Sequence, residues 1–149
     1  MRITDICTRQ VISTEAGVSI RHAAEMMRKH HVGALVVTQP PNGERIPIGF
    51  LTDRDIVVAV VAVGIDTEAL TVGNIMSPDL AACTEGESLF DAIQTMRIRS
   101  VRRLPVLNQK GGLAGMLSAD DIYSALGAHM RELSAALIHE QVHEMESRT

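Results

Sequence analysis

Two tetrapeptides of the 149-residue chain share one form, Thr52-Asp53-Arg54-Asp55 and Ser118-Ala119-Asp120-Asp121. Each is [ST]-x-x-D, set between an apolar run, GFL or GML, and a following Ile56 or Ile122. The spacing serves two chemistries. In a capping box the hydroxyl accepts the amide three residues on, while the carboxylate reaches back to the N-cap amide. A carboxylate beside free helix N-terminal amides also suits a ligand, with ribose hydroxyls on the Asp and phosphate near the Ser or Thr at the positive end of the helix. The second half adds Arg102 and Arg103 directly before an apolar strand, LPV. Arginine presents a planar fork to phosphate oxygens and stays charged at any relevant pH. A solvated Arg pair is the plain alternative, but a strand edge beside a helix N-terminus favours phosphate.

A third pattern points elsewhere. His139-Glu140-Gln141-Val142-His143 is HExxH, the spacing by which metalloproteases present two zinc-binding histidines and a general-base glutamate from one helix. A catalytic zinc needs a third protein ligand, and the six residues EMESRT that follow are too few to bring the usual downstream His or Glu. The segment also falls outside the repeated core described next, without a second layer to orient ligands. A solvated amphipathic helix accounts for it, so a hydrolase using His139, Glu140 and His143 is the weak alternative and no metal site is expected.

The elements that hold the paired turns come from an internal repeat. Shifted by 69 positions, Ala16 to Gln39 falls on Glu85 to Asn108 with eight identities: Gly17, Ser19, Ala23, Met27, Arg28, Val32, Leu35 and Val37 recur as Gly86, Ser88, Ala92, Met96, Arg97, Val101, Leu104 and Val106. Ordinary residue usage predicts about one or two. Ser19 and Ser88 read as N-caps of helices whose apolar faces are Ile20, Ala23, Ala24, Met27 and Leu89, Ala92, Ile93, Met96. A strand follows in each copy. The loop QPPNGERIP is three residues longer than its counterpart, which brings the two turns into register at an offset of 66. Leads containing Ile, TDIC and GNIM, precede the copies. Each unit, at about 60 residues, buries little alone, so two sheets packed face to face about a pseudo-two-fold axis are expected, with two related clefts between them.

Composition narrows the function. The chain is 46% hydrophobic but has 2 Phe, 1 Tyr and no Trp, which gives it a core and denies it a base-stacking platform. A net charge of -4 opposes non-specific attraction to nucleic acid and anionic membranes. Cys7 and Cys83 have neither CxxC spacing nor a disulfide framework. With no leader pattern in MRITDICTRQ, and with IVVAVVAVGI half the length of a membrane span, a cytoplasmic protein is expected. That apolar run, Ile56 to Ile65, should instead be buried in the core or against another subunit.

The doubled G-h-h-[ST]-x-x-D turn (h apolar), the RRLPV strand start and the TDRDIVVAVV helix resemble the paired CBS domain, or Bateman module, of the small stand-alone bacterial type. The resemblance runs from about Ile3 to Leu126. It implies an α/β (α+β) fold of two tandem CBS repeats packed sheet to sheet with pseudo-two-fold symmetry, plus a C-terminal helix. The divisions are 1–64 for the first repeat, 65–127 for linker and second repeat, and 128–149 for the helix and tail. It further implies a sensor rather than an enzyme, with an adenine nucleotide (AMP, ADP or ATP) or S-adenosylmethionine as regulatory ligand and no required cofactor. Asp55 and Asp121 become ribose carboxylates, Thr52 and Ser118 phosphate or ribose contacts, and Arg102 and Arg103 phosphate ligands. In the first copy Gly33 and Ala34 replace the arginines, so help must come from backbone amides, Arg54 or the other repeat. Unequal clefts are expected, with the tighter one at the turn of the second copy. The 149 residues leave no room for an effector domain, so regulation in trans on another protein is expected; an interaction scaffold with vestigial clefts is the other reading. A homodimer is expected through the helix Ile56 to Val63, with Val60 in the contact, and through a tail helix from Leu126 to Met145.

Overall fold

The serine caps act as their positions require. Ser19 Oγ accepts the His22 amide and Ser88 Oγ the Asp91 amide, each at 3.1 Å, so helices begin at equivalent places in the two copies. In the computed structural model, which describes residues 1–39 and 43–148, the first copy runs α1 (Ile3–Ile6), β1 (Ser13–Thr14), α2 (Ile20–His30), β2 (Ala34–Gln39), β3 (Ile46–Thr52) and α3 (Asp53–Ile56), the last continuing as a π-helix over Val57–Val61. The second runs α4 (Val72–Ile75), β4 (Cys83–Thr84), α5 (Leu89–Arg99), β5 (Arg103–Leu107), β6 (Leu113–Ser118) and α6 (Ala119–Ser147). Pro40, Pro41 and Asn42 of the longer loop lie outside the described residues.

Each copy builds a three-stranded sheet, β1-β2-β3 or β4-β5-β6, with the first pair parallel and the hairpin antiparallel. Hairpin register sets Ala34 opposite Thr52 and Arg103 opposite Ser118, so each strand start lies beside the turn of its own repeat. Alternation along β2 sends Leu35 and Val37 into one core with Ile20, Ala23, Met27, Leu51, Ile56 and Val60. Along β5, Leu104 and Val106 enter the other with Ala92, Met96, Leu117 and Ile122. Each fully buried Leu or Ile contributes about 1.5–3 kcal/mol. Val36 and Pro105, 69 residues apart, are also fully buried but belong to neither cluster. They face the other way, where the two sheets meet.

The leads are exchanged. Ile3 of α1 is buried in the core of the second repeat, and Val72 of α4 in that of the first. The leads also bond to the opposite sheets: Thr8 and Met116 exchange backbone hydrogen bonds of 2.9 Å, and Phe50 and Ser77 do the same at 3.0 and 2.8 Å. This close approach explains the glycine of the doubled motif. A Cβ on Gly49 would sit 2.7 Å from the Ser77 carbonyl oxygen, and one on Gly115 2.9 Å from that of Thr8.

Three details differ from the sequence pattern. Ile93 is 39% exposed, because the core face of α5 is carried by Ala92 and Met96. Val60 is fully buried in the core of its own repeat and not on an intersubunit face; the open residues of that stretch are Val57, Val58, Val61 and Val63. The tail does not form a separate helix, since α6 continues unbroken from the turn at Ser118 to Ser147. Beyond Ile122 it leaves the core, and Tyr123, Leu126, Met130, Leu133 and Leu137 are exposed.

Candidate functional site

Both turns form complete capping boxes. Thr52 Oγ1 accepts the Asp55 amide at 3.1 Å, and Asp55 Oδ2 accepts the Thr52 amide at 2.8 Å. The second turn repeats these distances between Ser118 and Asp121, and Ser118 Oγ also donates to Asp121 Oδ2 at 2.6 Å. A backbone bond ties each turn to its neighbouring strand start: the Asp53 amide to the Gly33 carbonyl at 3.0 Å, the Ala119 amide to the Arg102 carbonyl at 2.9 Å.

Two clefts open between the sheets, and each joins the turn of one repeat to the lead and strand start of the other. The first, about 200 Å³, is lined by Ser118, Asp121 and Met116 from the second repeat and by Thr8, Gln10, Val11, Ile12, Val32, Gly33 and Ala34 from the first, with Arg103 at its edge. The second, about 280 Å³, is lined by Thr52, Phe50 and Ala34 from the first repeat and by Ser77, Asp79, Ala81, Val101, Arg102 and Arg103 from the second. Shifts of 69 for the leads and strand starts, and 66 for the turns, map one wall set onto the other: Thr8 on Ser77, Ile12 on Ala81, Val32 on Val101, Gly33 on Arg102, Thr52 on Ser118. The sequence pattern, by contrast, joins Arg102 to the Ser118 turn. Face-to-face packing puts Arg102 in the Thr52 cleft instead, while Arg103 reaches both.

The clefts differ chemically. The Ser118 cleft offers a half-buried carboxylate, a hydroxyl, the glycine-alanine backbone and apolar walls of Val11, Ile12, Val32 and Met116. The Thr52 cleft offers two guanidinium groups, Phe50 and the hydroxyls of Thr52 and Ser77. Asp55 and Arg54 line neither cleft. Arg102 is drawn to Asp120 at 3.4 Å with both side chains well exposed, a weak tie that an incoming anion could replace. Asp79, on the rim of the Thr52 cleft, is paired with Arg99. The walls supplied by the leads were not legible in the motifs; only the symmetry of the repeat could have named Ser77 from Thr8.

His139, Glu140 and His143 lie on the exposed outer part of α6. Among the described residues, no three His, Cys, Asp or Glu side chains group so as to hold a metal ion, and no helix is long and apolar enough to cross a membrane.

Comparison with known proteins gives the following. The CBS domain family matches residues 3–62 and 72–128. The CBS domain-containing protein YhcV of Bacillus subtilis is 34% identical over 120 residues, covering 80% of this chain and 81% of that protein. The crystal structure of Hypoxic Response Protein I with two coordinated zinc ions superposes with a TM-score of 0.71 at 28% identity, over 83% of this chain and 98% of that one. A CBS domain protein of Pyrobaculum aerophilum complexed with AMP also superposes with a TM-score of 0.71, at 27% identity, over 81% of this chain and 89% of that one.

Proposed function

The chain belongs to the CBS domain family as a pair of repeats, and on that footing we propose that it is a regulatory module that binds an adenine nucleotide in the clefts between its repeats. One observation carries this reading: Ser118 and Asp121 face the Gly33-Ala34 backbone across a cleft with Arg103 at its edge. Asp121 accepts the ribose hydroxyls, Ser118 and Arg103 receive phosphate, and Val11, Ile12, Val32 and Met116 enclose the base. In the Thr52 cleft, Arg102 and Arg103 receive phosphate and Phe50 lies against the base. Clefts of about 200 and 280 Å³ favour a mononucleotide over a dinucleotide. The AMP complex of the Pyrobaculum aerophilum protein supports the same ligand class.

The signal leaves through the helices. Both α3 and α6 start at ligand-facing hydroxyl residues and carry open apolar faces, Val57, Val58 and Val61 on one and Tyr123, Leu126 and Met130 on the other. Such faces suit a second copy of the chain and a partner protein regulated in trans. A nucleotide that draws the repeats together tilts these helices and alters that packing. Mass spectrometry of whatever leaves the purified protein on denaturation tests the ligand, together with a thermal-shift screen of AMP, ATP, NADH and S-adenosylmethionine. An adenine mononucleotide that raises the midpoint supports the proposal; a midpoint indifferent to all four compounds overturns it.

A further inference from the structure

The two clefts meet at one wall. Ala34 and Arg103 hold the same position in the two repeats, 69 residues apart, and both residues line both clefts. Two-fold symmetry would have given this wall two guanidinium groups, one for each site. Here there is one. The Arg103 guanidinium is exposed and has no hydrogen-bond or ion-pair partner among the described residues, whereas that of Arg102 is drawn to Asp120 and that of Arg99 to Asp79. The Thr52 cleft keeps Arg102 if Arg103 turns away from it. The Ser118 cleft has no other arginine or lysine on its walls.

We propose that the two clefts exclude one another for phosphorylated ligands because they share Arg103. This rests on the nucleotide reading above and deepens it. A phosphate bound in one cleft engages the unpaired guanidinium, and a second phosphate then meets a used donor set and a like charge across the common wall. Losing a charge-assisted hydrogen bond of this kind weakens binding by roughly ten- to hundredfold. A nucleoside without phosphate makes no demand on Arg103, so the exclusion is confined to phosphorylated ligands. One chain therefore reports the first nucleotide at low concentration and resists the second.

Calorimetric titration of AMP and of adenosine separates this coupling from a plain difference between sites. The proteins are the unaltered chain, Gln10→Trp, Ser77→Trp and Arg103→Gln. Gln10 and Ser77 are exposed and each lines one cleft alone, so the tryptophans plug the Ser118 and Thr52 clefts respectively. For independent sites the product of the two AMP dissociation constants equals the product of the two single-cleft constants. The expected result is a product at least about tenfold larger in the unaltered chain, an excess that Arg103→Gln removes and adenosine never shows. A single AMP per unaltered chain, with each plugged variant also binding one, supports the same conclusion. Equal products overturn the proposal, as does an excess that adenosine shares or that survives Arg103→Gln, or AMP binding in which one plugged variant binds none. If neither AMP nor adenosine binds any of the four proteins, the nucleotide reading itself fails and this inference with it.

Discussion

Asp55 and Asp121 occupy the same motif position and make the same cap, yet only Asp121 lines a cleft. Asp121→Asn keeps an oxygen for the Ser118 amide and removes the charge. It should weaken AMP binding by roughly ten- to hundredfold with little change in unfolding midpoint, while Asp55→Asn leaves the affinity within about twofold. Calorimetry decides, and equal losses in the two variants would contradict the unequal roles. The hydroxyls and Asp121 were legible because one contiguous turn contains them. Thr8, Gln10, Ser77 and Asp79 were not, because only packing of the opposite repeat brings them to the clefts, and no local spacing records that. Cys83 gives a pH dependence. Burial, with a smaller contribution from the Glu87 carboxylate, pushes its thiol from 9.0 up to about 12. The folded state then holds its proton where the unfolded state loses it, so the contribution of the buried thiol is full below pH 9.0 and is lost progressively toward about 12. Urea midpoints of the unaltered chain and Cys83→Ala should therefore converge between about pH 7 and about pH 10.5.

At the level of elements, the repeat itself, its N-caps and its strands were readable because period and offset are both written in residue types. Two features were not. The motif contains its glycine without showing the reason, which is that Gly49 and Gly115 admit the opposite lead at backbone contact distance. Gly115→Ala should cost about 1–3 kcal/mol, seen as a lower denaturant midpoint, because the atoms in the way are the Thr8 carbonyl and the Cys7 sulfur. Alanine tolerated there without loss would mean that the lead shifts freely. The length of α6 was also hidden. Its apolar stripe resumes at Leu126 after the buried Ile122, and Gly127 directly after it does not stop the helix. Val60 shows how an all-apolar run misleads, since VVAVV does not say which valine points inward.

For the whole molecule, the open faces of α3 and α6 are the surfaces through which copies should associate. Val61 is 61% exposed and Val60 fully buried, so the two positions separate assembly from folding. Val61→Asp should yield a folded monomer in sedimentation velocity, with an unchanged circular dichroism spectrum. Val60→Asp should lose the cooperative unfolding transition, because it places an unpaired charge in the core. A dimer that survives Val61→Asp would move the contact elsewhere. The exchanged leads carry a further consequence, about ancestry. Ile3 completes the second core and Val72 the first, so one repeat produced alone lacks the stopper for its own interior and holds one cut for somebody else's. Two identical short chains could have closed only by trading these pieces, each threading its beginning into the other. Joining two such copies in one chain would make the exchange internal and leave the halves free to differ, as they do at Ala34 and Arg103.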